Sequence, residues 1–292
     1  MKLQTGKREI ALYLLPSIAL LTVIQVFPFA YTAILSFHNW YLPMQQSPVF
    51  SGLANYARAI TDPRFLNSLK VLGQFSLGTL ALEFTFGLAV ALLLNRELHG
   101  RNLFRSLFIL PMMATPAAMT LVWKVMLNPT TGVVNQLLDP VYRLLNVEPL
   151  AWAGSSSTAM LSVILVSFWR WAPFVMLILL AGLQSIPRSL YEAADVDGAG
   201  PWQKFLFITL PRLRGPLVIA FLFRSMDMLK TFDEVYILTG GGPAQTTELT
   251  NIYVFFQGFE AYQMGYSSAL VMFLFAFATL FACGSLWLLG KD

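Results

Sequence analysis

The sequence predicts an all-α integral membrane protein with six transmembrane helices and both termini cytoplasmic. Three observations carry that prediction. Of 292 residues, 57% are hydrophobic and only 12% charged, and the mean hydropathy is +0.63. A soluble domain is about one-quarter charged, so this chain has too little polar surface for water and suits a bilayer. Six apolar stretches, about 10–37, 71–94, 105–127, 158–183, 215–239 and 265–290, approach or exceed the span of a membrane. A helix needs about 20 residues to cross the roughly 30 Å hydrocarbon core. The basic residues, finally, are divided unequally between alternate loops.

The first stretch follows Lys2, Lys7 and Arg8, as a signal peptide would. Its apolar run is too long for such a peptide, and no small-x-small cleavage site follows, so it reads as a retained helix. The loop at 38–70 carries GLANYARAITDPRF, enough for a short helix. In the third stretch Pro111 and Pro116 break the helix, for gating or only for shape. The segment 128–157 places Val133, Val134, Leu137, Leu138, Val141, Leu144 and Leu145 at helical spacing. It reads as an amphipathic helix along the membrane surface, with packing on top of the spans as its expected purpose. TGGGPAQTTE at 239–248 ends the fifth stretch, since three glycines and a proline cannot continue a helix. Cys283, the single cysteine, excludes an internal disulfide, and His38 and His99 lack the partners of a metal site.

Orientation follows from Lys and Arg. With the N-terminus inside, Lys2, Lys7, Arg8, Arg96, Arg101, Arg105, Arg188, Lys204, Arg212, Arg214 and Lys291 are cytoplasmic. Arg58, Arg64, Lys70 and Arg143 lie outside, eleven against four. The longest cytoplasmic loop is then 184–214. Ser189 and Glu192 fit a capping box that starts a short helix. Gly198 ends it in a left-handed conformation, and Gly200-Pro201 opens a second helix that Pro211 breaks. Two short helices at a sharp bend make an angled knob, and Ala193 and Ala194 leave one flank bare enough for another protein's backbone. A capping box alone also accounts for Glu192.

The whole string resembles the EAA loop of permease subunits in binding-protein-dependent ATP-binding-cassette importers. Glu192, Ala193, Ala194, Asp197, Gly198, Ala199, Phe205, Ile208, Leu210 and Pro211 meet every specified position of that pattern. YLLPSIALLTVIQVFPFAYTAILSF, GRNLFRSLFILPMMATP, VWKVMLNPTTGVVNQLL and FDEVYILTGGGP are similar to segments of the sugar-permease branch, of maltose, glycerol-phosphate and trehalose type. The resemblance implies the type I importer permease fold, with residues 1–68 as N-terminal helix and first periplasmic loop. A five-helix core then runs from 69 to 292. It implies that the knob, with Glu192, Ala193, Ala194, Asp197, Gly198, Ala199 and Gly200, docks on a separate ATPase. The implied partners are a second, related permease forming a heterodimer, two cytoplasmic ATPase subunits, an extracytoplasmic solute-binding protein, a sugar and membrane lipid, with no nucleic acid. The implied place is the inner or plasma membrane of a prokaryote. The chain lacks a G-x-x-x-x-G-K-[ST] phosphate loop. ATP and Mg are therefore expected on the partner ATPase, with no cofactor or metal on this chain and no enzymatic activity of its own.

Charges inside hydrocarbon cost about 3 kcal/mol each and face a cavity or pair with one another. Glu83, Lys124, Arg170, Arg224, Asp227 and Lys230 are such charges. On the fifth helix Asp227 can neutralise Arg224 or Lys230, or these residues can meet the substrate. Trp169, Arg170 and Trp171, ahead of Pro173, suit either stacking on sugar rings or packing in the bundle. Trp169, Arg170, Trp171, Arg224, Asp227 and Lys230 are therefore the candidate substrate path. The cargo reads as a di- or oligosaccharide, with glycerol phosphate or another polyol as the alternative. An ion-coupled transporter using Glu83 and Asp227 is the other reading, but it gives the knob no purpose. A membrane-embedded enzyme finds no support in a histidine cluster, a G-x-S-x-G motif or paired acids.

Overall fold

The computed structural model describes residues 7–96 and 99–289; Lys2 and Lys291, counted above for orientation, lie outside them. In chain order the helices begin with α1 (Lys7–Leu21), a π turn (Thr22–Val26) and α2 (Phe27–Leu35). Two short strands follow, β1 (His38–Asn39) and β2 (Val49–Phe50), then α3 (Ala54–Thr61) and α4 (Pro63–Leu94). Next come α5 (Arg101–Met113), α6 (Pro116–Met126), α7 (Val133–Leu145) and α8 (Ala159–Gln184). The knob region holds α9 (Arg188–Val196), α10 (Pro201–Lys204), a π turn (Phe205–Thr209) and α11 (Leu210–Arg212). The chain closes with α12 (Arg214–Met228), α13 (Asp233–Leu238), α14 (Thr250–Phe255), a π turn (Phe256–Glu260) and α15 (Met264–Leu289).

Four helical stretches, Tyr13–Leu35, Pro63–Leu94, Ala159–Gln184 and Met264–Ser285, are long and apolar enough to cross a membrane. Two further apolar stretches are bent pairs, broken spans or re-entrant loops: α5 with α6 at 98° and Pro201–Arg212 with α12 at 58°. Among the described residues the predicted six spans are thus four continuous helices, and six only if each bent pair counts as one span. In the third, Ala114 and Thr115 are extended, with ψ of 146° and 138°. A residue before proline is pushed from the helical region, and Pro116 then starts α6 at a position where no amide donor is missed. The fifth span does not run to 239 as expected. It stops at Met228, where Lys230 N and Thr231 N turn back onto the carbonyls of Asp227 and Met228.

Two compact units divide the chain, Met1–Leu66 with Val254–Thr279, and Asn67–Tyr253 with Leu280–Asp292. In the first, the β1–β2 hairpin is tied to the end of α2. Asn55 Nδ2 donates to the carbonyls of Ser36 and His38 at 3.0 and 2.8 Å, and Tyr56 OH donates to Ser36 Oγ at 2.7 Å. In the second, Val90, Ala91 and Leu94 of α4 pack with Val175, Met176, Leu179, Leu180 and Leu183 of α8, and with Ile186 and Leu213. Gly182 lets α8 and α12 approach closely, because a Cβ there would sit 2.6 Å from Pro216 Cγ.

The loop helix α7 forms where expected, but it does not pack its apolar face on the spans. Val133, Leu137, Val141, Leu144 and Leu145 are exposed, whereas Asn135 and Tyr142 are the buried residues. The reason is a polar hub. Asn135 Oδ1 accepts from Tyr142 OH and Trp152 Nε1, at 3.0 and 2.7 Å, while Nδ2 donates to the carbonyls of Pro129 and Leu150, both at 3.0 Å. A fully satisfied amide holds the helix by its polar side, so the apolar side is turned out.

Candidate functional site

Helix α9 starts two residues earlier than a Ser189 cap requires. Pro187, at φ −60° and ψ 133°, is the N-cap residue and no side chain caps the helix. Ser189 therefore sits inside the first turn, the Ser189–Glu192 box does not form, and Glu192 is left exposed. At the other end Gly198 has φ +75°, as predicted. Ala199 N donates to Ala194 O at 2.8 Å and Gly198 N to Asp195 O at 3.1 Å, which closes the helix.

Gly200 is extended, and its N–H donates to Gln203 Oε1 at 2.8 Å, with Pro201 in the first turn of α10. A Lys204–Asp195 ion pair links the two short helices. Pro211 does not end the second helix. The helix continues to Arg212 through the π turn, and the bend falls at Leu213.

The knob stands on a fixed base. Leu190, Tyr191 and Ile208 pack against the α4–α8 core, and the Tyr191 and Thr209 hydroxyls are 2.9 Å apart. Its outer surface is unlike its base. Glu192, Ala193, Asp197 and Gly198 are exposed, with Val196 at 89% and Trp202 at 68%. A Cβ at Gly198 would meet nothing within 4 Å. Carboxylates beside bare backbone and two exposed apolar side chains make a surface able to seat a protein groove.

The candidate path residues divide. Successive residues on a helix point about 100° apart, so Trp169, Arg170 and Trp171 cannot share one wall. Trp169 lines an apolar cavity of about 580 Å³ with Phe86, Phe108, Phe168, Pro111 and Pro173. Arg170, Trp171, Asp227 and Lys230 instead line a polar pocket of about 170 Å³ with Glu234 and Pro116. Arg224 lies behind it, 1% exposed.

That arginine joins three elements. Its Nε and Nη2 donate to Glu83 Oε2 and Oε1 at 2.8 and 2.7 Å, and Nη1 donates to Asp227 Oδ2 at 2.7 Å. The Trp171 ring meets two guanidinium groups, those of Arg224 at 4.6 Å and Arg170 at 4.9 Å from its centroid. Bidentate pairing and cation–π contact are what a desolvated arginine requires. Of the two partners foreseen for Asp227, the structure selects Arg224; Lys230 lies beyond the helix end.

Glu234 is the residue that sequence reasoning missed. Its Oε1 accepts from Arg170 Nη1 at 2.8 Å, yet its buried Oε2 and Arg170 Nε have no hydrogen-bond partner among the described residues. The signal was present, since Asp233-Glu234 stands where acids favour a helix N-terminus, the first turn of α13. Lys124 Nζ donates to Ile237 O at 2.7 Å, fixing α6 to α13 and so closing this wall. The pocket can bind a small polar group through aromatic, cationic and carboxylate contacts together.

Residues 83–288 match the family described as binding-protein-dependent transport system inner membrane component. The chain is 37% identical over 251 residues to the trehalose/maltose transport system permease protein MalF of Thermococcus litoralis, covering 85% of this chain and 83% of that one. It is 35% identical over 275 residues to the sulfoquinovosyl glycerol transport system permease protein SmoG of Agrobacterium fabrum, covering 94% and 88%. Its fold is similar to that of a chain in the crystal structure of a bacterial transporter that imports the acidic polysaccharide alginate. The TM-score there is 0.80 at 22% identity, over 97% of this chain and 96% of that chain.

Proposed function

The chain belongs to the family of binding-protein-dependent transport system inner membrane components, and from that premise we propose that it is one permease subunit of an ATP-driven sugar importer. The observation that carries the proposal is the knob at 188–204: Glu192, Ala193, Asp197 and Gly198 are exposed on and just after the first of two short helices whose base is packed into the core of the spans. Such a part transmits rigid-body motion from a separate ATPase, because it cannot shift without moving α8 and α12. Glu192, Ala193, Ala194, Asp197, Gly198, Ala199 and Gly200 form the docking face. ATP and Mg act on that partner, and this chain holds neither. A related second permease, two ATPase subunits and an external solute-binding protein complete the assembly, in a prokaryotic inner or plasma membrane. Relatives named for trehalose, maltose and sulfoquinovosyl glycerol support a saccharide or glycoside cargo. Arg170, Trp171, Asp227 and Lys230 lie on its path, together with Glu234, whose unpartnered oxygen suits a sugar hydroxyl.

The purified chain alone is expected to hydrolyse no ATP, and activity is expected to appear on assembly with the second permease and the ATPase. Sustained hydrolysis by the chain alone overturns the subunit reading.

The orientation is tested by single cysteines. Residues placed within 240–264 are expected to react with impermeant reagents on intact cells, and those at 198–203 only after lysis. The reverse pattern puts the knob on the wrong side for an ATPase.

A further inference from the structure

We propose that α7 is an interfacial membrane anchor, its apolar stripe seated in the lipid at the outer end of the broken α5–α6 span. Val133, Leu137, Val141 and Leu144 fall within an arc of about 80° on a helix of 3.6 residues per turn. All four are exposed, Leu137 at 74% and Leu144 at 84%. The stripe cannot turn inward, because the Asn135 hub fixes the opposite side to Pro129, Leu150 and Trp152. A third side carries Asp139 and Arg143, which pair at 2.7 Å in solvent. Protein, water and an unfilled apolar stripe thus occupy separate faces, which is the sectoring of a helix lying in the bilayer surface.

Attachment to an exposed apolar membrane segment points to lipid as the occupant. Gly132, which precedes α7, lies so close to the last turn of α6 that a Cβ there would be 2.4 Å from the carbonyl oxygens of Met126 and Asn128. The start of α7 is therefore locked to the end of α6, half of an apolar helix pair with the composition of a membrane segment. On that segment Leu121, Val122 and Val125 are themselves exposed. The stripe continues this exposed apolar surface, and a lipid-seated α7 would steady α6, whose first residue Pro116 lines the polar pocket.

The test places single cysteines at 144, on the stripe, and at 139, on the wet face, in a Cys283→Ser background. Each carries an environment-sensitive fluorophore. The chain is studied in nanodiscs containing lipid brominated near the top of the acyl chains, alone and in the assembled importer. Quenching several-fold stronger at 144 than at 139, unchanged by assembly, is expected. Equal quenching at the two sites overturns the proposal. So does loss of quenching at 144 when the second permease or the binding protein is added, since the stripe then belongs to a protein interface.

Discussion

Arg224→Ala is expected to destabilise the detergent-solubilised protein by about 3–5 kcal/mol, the cost of leaving one partner of a buried ion pair uncompensated. Glu83 is wholly buried, and the bidentate contact from Arg224 is its charge partner across α4 and α12. Without it the buried Glu83 carboxyl loses its bidentate partner. Asp227 also loses its partner, at smaller cost, because that side chain is 39% exposed. Thermal unfolding of the solubilised chain measures the effect. Replacing both partners, Glu83→Met with Arg224→Met, is expected to recover most of the loss, since an apolar pair of similar volume is often as stable as a buried ion pair. Transport by that paired variant then separates the two readings of Arg224. Restored uptake makes the arginine a structural member behind the pocket, whereas a stable but inactive variant makes it part of the path. An Arg224→Ala protein that melts with the parent removes the ion pair from the account of the fold.

Local signals were read well, and long-range pairing was not. Four continuous spans were legible because length and apolar composition suffice for a helix in hydrocarbon. Gly198 was legible because a glycine after a helical run has one common use. The predicted fifth span is too long because it runs through Leu229–Leu238, where Val235, Ile237 and Leu238 outlast the charged Lys230, Asp233 and Glu234. What ends it is the restart at Asp233-Glu234, an acidic first turn counted as interior. The Ser189 cap failed because the neighbouring Pro187 had already set the helix start. Nothing in the spacing joins Glu83 to Arg224, 141 residues apart, or divides Trp169 from Trp171 between two cavities. Those facts exist only once α4, α8 and α12 are packed. The exposed stripe of α7 was visible as periodicity, but its direction was decided by Asn135, whose four contacts are scattered over 129–152.

Gly198→Val is expected to uncouple the importer without unfolding it. The residue holds φ at +75°, and a β-branched side chain there is strained by about 1–3 kcal/mol. No steric clash within the chain adds to this, since a Cβ would meet nothing within 4 Å. The strain therefore falls on the turn that sets the angle between α9 and α10, while the base at Leu190, Tyr191 and Ile208 keeps its packing. If docking requires that angle, the same free energy weakens it by roughly 5- to 150-fold, and the new side chain thickens the flank that enters the ATPase groove. Glu192→Ala is the cleaner companion. Glu192 forms no capping box, so its removal is expected to leave thermal stability unchanged while taking away a charge offered to the ATPase. Both variants are expected to insert and to meet the second permease, because those steps depend on the spans. Uptake and sugar-stimulated ATP hydrolysis in reconstituted vesicles fall together, and the binding protein keeps its affinity for sugar. Co-purification of the ATPase gives the independent readout. A Gly198→Val importer that retains its ATPase at parental stoichiometry and transports at the parental rate excludes residues 188–204 as the coupling element.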